Sequence, residues 1–235
     1  MKKRLKINGV LIFCVFLLVA LFPSVFFRPG KSTFSNGVAQ ILGILFILLG
    51  QIIRISSRGF KSENSGNGYL LIQRGPYAVV RNPMYFGILL IGLGIVLALF
   101  KWWVAGIFLL AFVARYILLM FAEEKKLSAV FSKDYQDYCK NTPRIIPSVI
   151  TIAKMDIAEY LPLKLSWIKK EIGSVSAVLL VVLVLGLWKD IRNEGLFACL
   201  KDAALAVFII ILFTGLIIYL SKRTASFKKD VSNKR

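Results

Sequence analysis

Long apolar runs constrain this chain more than any other feature. Gly9–Phe27, Gly37–Ile53 and Met84–Phe100 carry no charged side chain, and Val104–Phe121 carries one, Arg115. A helix needs about 20 apolar residues to cross a bilayer. Inside lipid the backbone must satisfy its own polar groups, so such runs read as helices. Two further runs, Val175–Trp188 and Ala203–Leu220, follow towards the C-terminus. The expectation is an all-α, polytopic helical membrane protein with about six transmembrane helices. Its first run lacks a small-residue cleavage site and reads as a retained span.

Basic residues set the orientation. With the N-terminus inside, the inner segments hold 24 Lys and Arg residues and the outer loops hold 6. That asymmetry places both termini on the cytoplasmic side. A formal charge of +19 on a soluble chain would point to nucleic acid. Here the charges flank apolar runs, so anionic lipid headgroups are the expected partner and nucleic acid is not. With no organelle address, the localisation expected is a bacterial inner membrane.

The chain contains no histidine, and its cysteines, Cys14, Cys139 and Cys199, have no metal-binding spacing. No metal site is expected, and the commonest general base is missing.

Four segments follow from the pattern. Residues 1–67 form an N-terminal hairpin and a flexible connector, Arg54–Gly68, rich in Gly, Ser and Asn. Residues 68–147 form a core of two spans and two polar segments. Residues 148–174 read as interfacial helices broken at Pro162, and 175–235 as a second hairpin with a basic tail. Lys101, Trp102 and Trp103 mark a tight interfacial turn between the third and fourth runs.

The polar stretch before the third run is unusual. It reads Arg-Gly-Pro-Tyr-Ala-Val-Val-Arg-Asn-Pro-Met-Tyr-Phe-Gly from Arg74 to Gly87. Pro83 suits the first turn of a helix, with Asn82 as its N-cap. A helix start offers backbone N–H groups to an anion. An ordinary basic loop fits this stretch equally well. The orientation then brings a second polar segment to the same side. It begins at Glu123 and Glu124, beyond the fourth run, and contains Tyr135, Tyr138 and Arg144. Antiparallel neighbouring spans would bring the two segments together. Adjacent glutamates point about 100° apart on a helix, so at most one faces the cleft squarely. A carboxylate, arginines and a helix N-terminus together suit a zwitterionic ligand.

The first segment resembles the Gly-Pro-Tyr…Arg-His-Pro-x-Tyr-x-Gly motif of membrane methyltransferases. The second, Glu-Glu-Lys-Lys-Leu…Phe-Ser-Lys-Asp-Tyr-Gln-Asp-Tyr…Pro-Arg, is similar to the partner motif of the same group. That group comprises the isoprenylcysteine carboxyl methyltransferases and the phospholipid methyltransferases. The resemblance covers Gly68 to Pro147 and implies an integral membrane enzyme using S-adenosylmethionine on the cytoplasmic side. It implies a cofactor site of Tyr77, Arg81, Asn82, Pro83, Tyr85, Gly87, Glu123 and Glu124. Arg81, Glu124 and Arg144 would be catalytic, and Tyr135, Tyr138 and Arg144 would meet a lipid-like or prenylated substrate. Asn82 stands where many relatives have histidine, and Ser132 where they have glycine.

The expected acceptor is the carboxylate of an isoprenylcysteine-type lipid, because an anionic acceptor needs no base. A phospholipid amine is the alternative and would need a carboxylate or tyrosine base. A non-catalytic protein that keeps the fold is a third reading. Some residues have plainer roles open to them. Arg115 reads as a snorkelling side chain, Tyr135 and Tyr138 as interface anchors, and Gly92 and Gly94 as points of close helix packing.

Overall fold

A computed structural model describes residues 19, 21–28, 34–66, 70–147, 156–193, 215, 218 and 219. Its helices are α1 (Pro23–Phe26), α2 (Phe34–Asn64), α3 (Pro76–Val79), α4 (Pro83–Leu99), α5 (Trp102–Asn141), α6 (Ile157–Tyr160) and α7 (Leu165–Asn193). Among the described residues there is no strand, only one isolated bridge between Phe27 and Phe100. Three helical stretches are long and apolar enough to cross a membrane: Asn36–Asn64, Trp102–Asn141 and Leu165–Trp188. The shorter α4 has 17 residues, about 25 Å at 1.5 Å each. Most of the sixth run and most of the first lie outside the described residues.

The tightest seam joins α2 to α4. Gly43 and Gly50 on α2 meet Gly94 and Gly87 on α4, each pair spaced by two helical turns. A Cβ on Gly50 would sit 2.6 Å from the Gly87 carbonyl oxygen, and one on Gly94 would sit 2.5 Å from that of Gly43. Small residues let the two backbones touch, and dispersion then holds the pair. On α4, Gly92 receives the Phe108 ring of α5. The close packing expected of Gly92 and Gly94 is therefore present, with a different partner for each.

The turn from α4 to α5 is short because Phe100 and Lys101 suffice to reverse the chain. Lys101 N–H donates to the Phe26 carbonyl at 2.9 Å, and its ammonium to the Ser24 carbonyl at 2.8 Å. Phe27 stacks on Phe100 with centroids 4.9 Å apart. Trp102 is 81% exposed, as a belt residue at the interface would be.

Three expectations need correction. The supposed flexible connector after Ile53 is helical as far as Asn64. Its polar residues find partners on a distant segment: Arg58 Nη1 donates to Glu171 Oε2 at 2.9 Å and Ser56 Oγ to the Pro162 carbonyl at 2.6 Å. Gly/Ser content lowers helix propensity, but tertiary bonds outweigh it. Second, there is no separate interfacial helix after Pro162. The chain turns through Leu161–Lys164 and enters α7, which continues through the fifth run. Among the described residues only the single turn α6 precedes the break, with Asp156 Oδ1 accepting from Ala158 N–H. Residues 148–155 lie outside the described part.

Third, the polar segment after Glu123 and Glu124 is no separate short helix. Both glutamates lie within α5, which runs 40 residues from the tight turn to Asn141. Its first limb, to Phe131, is about 45 Å long, well beyond the roughly 30 Å apolar core of a bilayer. The limb therefore carries the glutamates past the apolar stretch. At Ser132 the backbone turns to φ 40°, ψ −109°, which kinks the helix. That conformation favours glycine, the residue that the motif usually has there.

Candidate functional site

The two motif segments meet at one end of α4 and α5. Gly75 begins the first at φ 60°, packed against the Phe60 ring, and Pro76 then opens α3. Backbone bonds fasten the segments to each other. Arg81 N–H donates to the Pro143 carbonyl at 2.8 Å, and Asn82 N–H to the Arg144 carbonyl at 3.1 Å. Tyr138 Oη donates to the Tyr77 carbonyl at 2.6 Å. The junction is thus a braid of residues 75–82 and 138–144.

Beneath it lies a cavity of about 240 Å³. Its polar wall comprises Tyr77, Arg81, Asn82, Tyr85, Glu123 and Glu124. Its apolar wall comprises Leu70, Leu71, Ile72, Leu127 and Phe131, and Lys61 and Ser65 stand at the end of α2. Pro83, Met84, Tyr135 and Tyr138 complete it. Of the residues singled out from sequence, Gly87 and Arg144 do not line the cavity. Gly87 is committed to the α2–α4 seam, where its added Cβ would lie 2.8 Å from the Gly50 carbonyl oxygen.

The adjacent glutamates do different work. Glu124 is bound by Arg144 in a two-point pair, Nε to Oε1 at 3.0 Å and Nη2 to Oε2 at 2.9 Å. Arg81 Nη1 approaches the same carboxylate at 3.5 Å. Such bidentate pairs fix geometry as well as adding energy. The Arg144 guanidinium also lies 4.5 Å from the Phe121 ring centroid. Arg144 therefore reaches the cavity wall through Glu124, which it holds in place. Glu123 enters none of the ion pairs among the described residues. It lies against the Tyr85 hydroxyl. Both glutamates line the cavity, yet only Glu124 is neutralised there by arginine.

Asn82 occupies the N-cap position of α4, but its side chain caps nothing. Its Nδ2 donates instead to the Arg144 carbonyl at 3.2 Å and weakly to Glu124 Oε1 at 3.4 Å. Its own carbonyl takes the N–H groups of Tyr85 and Phe86, both at 3.1 Å. The helix start is thus partly satisfied by the chain itself. Asn82 serves the braid, a task that needs an amide donor and no titration.

The tyrosines are mostly internal struts. Burial, and then the Glu123 charge, push the Tyr77 hydroxyl well above the ordinary tyrosine range. It stays protonated and can donate, but it cannot serve as a base near neutral pH. Tyr85 continues into a ring ladder on α5: Tyr85 to Tyr116 at 5.3 Å, Tyr116 to Phe112 at 4.6 Å, and Phe112 to Phe108 at 6.1 Å. The ladder fills the seam between α4 and α5 below the cavity. Arg115 points away from it, exposed on α5.

A family model matches part of the chain that carries this site. Residues 38–134 match the phospholipid methyltransferase family. This is a family of membrane methyltransferases, in agreement with the resemblance carried by the motifs. The match runs from α2 through α4 and past the glutamates of α5, so it includes most of the cavity wall. No curated protein and no solved structure matches the chain.

Lys61, Ser65, Leu70, Leu71 and Ile72 were not singled out from sequence. The i, i+4 spacing of Lys61 and Ser65 was the available signal. It carries weight only once residues 54–64 are known to be helical. Leu127 and Phe131 share the same spacing.

Proposed function

We propose that the chain is an S-adenosylmethionine-dependent membrane methyltransferase acting on a lipid-like acceptor at the cytoplasmic face. The observation that carries this reading is that both motif segments wall a single cavity holding one carboxylate, Glu123, with no arginine partner among the described residues. Glu123 suits the cationic end of the cofactor's amino-acid part. Leu70, Leu71, Ile72, Leu127 and Phe131 suit its adenine ring. When bound, S-adenosylmethionine supplies a methyl group on a cationic sulfur.

The residues of this chain then position the acceptor and exclude water. The ring ladder from Tyr85 closes the seam below, and the braid closes the site above. In-line methyl transfer depends mainly on such alignment in a dry site. Arg81 lines the cavity with its Nε buried and unpartnered among the described residues. A buried donor without an acceptor is costly, and an anionic group nearby would relieve it.

A carboxylate acceptor of the isoprenylcysteine type fits best. Its charge is neutralised as the methyl arrives, so no base is needed. Tyr77 is unsuited to be one. A phospholipid amine is the second reading, favoured by the family description. It would require Glu123 to take a proton as well as to hold the cofactor.

The test uses labelled S-adenosylmethionine and detergent-purified protein with two acceptors, an S-farnesyl-N-acetylcysteine and a phosphatidylethanolamine. Methyl transfer to the first supports the carboxylate reading, and transfer to the second alone replaces it with the amine. Cofactor binding with transfer to neither would reject both acceptors. Failure of a folded protein to bind the cofactor would refute the proposed activity and favour a non-catalytic relative.

A further inference from the structure

The cavity wall at Lys61 and Ser65 is not held by the family-matched segment alone. It belongs to the last turns of α2, which extend beyond the α2–α4 seam. A helix end that projects beyond its packing partner frays unless something holds it. Here the holder is the chain after Asp156, which lies outside the matched residues 38–134.

The contacts are specific. Trp167, only 3% exposed, lies on Gly59, where an added Cβ would be 2.1 Å from the ring. Its Nε1–H donates to Glu63 Oε1 at 2.6 Å, and the Lys164 ammonium pairs with the other oxygen of Glu63. One turn deeper, Glu171 takes Arg58 at 2.9 Å and Arg54 at 3.8 Å. Ser56 Oγ bonds the Pro162 carbonyl, and Ile52, Ile55, Leu163 and Trp167 form a buried apolar cluster. The other side of the same turns faces the motif segment through Phe60 on Gly75 and Tyr77 Oη towards the Ser57 carbonyl.

These bonds fix the rotation of the helix as well as its position. Gly59 and Glu63, four apart, face Trp167. Ser57, Lys61 and Ser65, also four apart, face the motif segment and cavity. With Glu63 occupied by Trp167 and Lys164, it is held on the face away from the cavity.

We infer that Asp156–Glu171 is a clamp that sets the Lys61–Ser65 wall of the cavity, with Glu63 and Trp167 as its positioning residues. The effect on ligand affinity rests on the proposed function, whereas the effect on the helix end does not. Trp167→Phe keeps the ring over Gly59 and removes the N–H. Glu63→Gln keeps an acceptor for Trp167 and removes the charge facing Lys164, and it serves if the first variant does not fold.

Both are measured in the full-length protein in detergent, by S-adenosylmethionine calorimetry and by amide exchange. Each should weaken cofactor binding about threefold to tenfold, in keeping with one lost hydrogen bond. Exchange should quicken at residues 60–66 and stay unchanged at 87–98 in the α2–α4 seam. Unchanged exchange at 60–66 would overturn the clamp, and so would faster exchange with wild-type affinity. If the wild type binds no cofactor, the proposed activity falls. Faster exchange at 60–66 in the variants would still uphold the clamp on the helix end, and unchanged exchange would refute it.

Discussion

Neutralising Glu123 and neutralising Glu124 should have opposite signatures, although the residues are adjacent. The Glu124 side chain is 12% exposed and pairs with Arg81, 14% exposed, and with Arg144, 41% exposed. Glu124→Gln removes the charge and leaves Arg81 largely buried without a counterion. A buried pair broken on one side costs about 3–5 kcal/mol. Arg144 keeps water, so its share is discounted. The retained amide oxygen can still accept one bond. The expected loss is about 2–3 kcal/mol, near the value for hydrogen bonds to charged groups. For a chain of this size that lowers the unfolding midpoint by roughly 4–12 °C. Among the described residues Glu123 has no ion pair to lose, so Glu123→Gln should change stability by less than about 0.5 kcal/mol. Its expected effect is on cofactor affinity, a fall of at least about tenfold for a lost charge-assisted contact. Thermal unfolding in detergent and calorimetry with S-adenosylmethionine read the two effects separately. A Glu124→Gln protein as stable as wild type, or a Glu123→Gln protein with wild-type affinity, would refute this division of labour.

Three further outcomes follow from the geometry. Gly50→Ala should destabilise by about 1–3 kcal/mol because its Cβ meets backbone on α4, whereas Gly106→Ala, with nothing within 4 Å, should be neutral or slightly stabilising; thermal midpoints compare them. Ser132→Gly should raise stability by about 1 kcal/mol by relieving the φ 40° backbone, and an unchanged or lower midpoint would argue against strain there. Tyr77 is raised above its ordinary value of 10.0, so its unfolded form ionises first as pH rises. Its contribution is complete below that pH and is lost above it. The stability gap between wild type and Tyr77→Phe should therefore narrow on going above pH 10, as chemical unfolding at several pH values would show.

Much of the site was legible because its residues are chemically conspicuous. Pro83 announced the start of α4, and the paired motifs announced that residues 74–87 and 123–144 belong together. Gly87 came with the motif that the resemblance rests on, yet it does not line the cavity. Its neighbour proved to be the Gly50 backbone. Residues 54–64 misled. Their composition favours a loop, and the partners that make them helical lie about a hundred residues later, at Pro162, Lys164 and Trp167. Local propensity is weak enough for such contacts to reverse it.

By itself the sequence determined that the chain crosses a membrane as helices, since apolar runs of this length have no other way to satisfy their backbone in lipid. It also marked out the two polar segments that line the cavity. Only the tertiary structure decided that α4 packs most closely on α2, because backbone contact depends on which glycines come opposite each other. Only the structure could separate Glu123 from Glu124. Their residue type is identical, and what distinguishes them is direction: a turn of about 100° aims one at two arginines and leaves the other to the cavity.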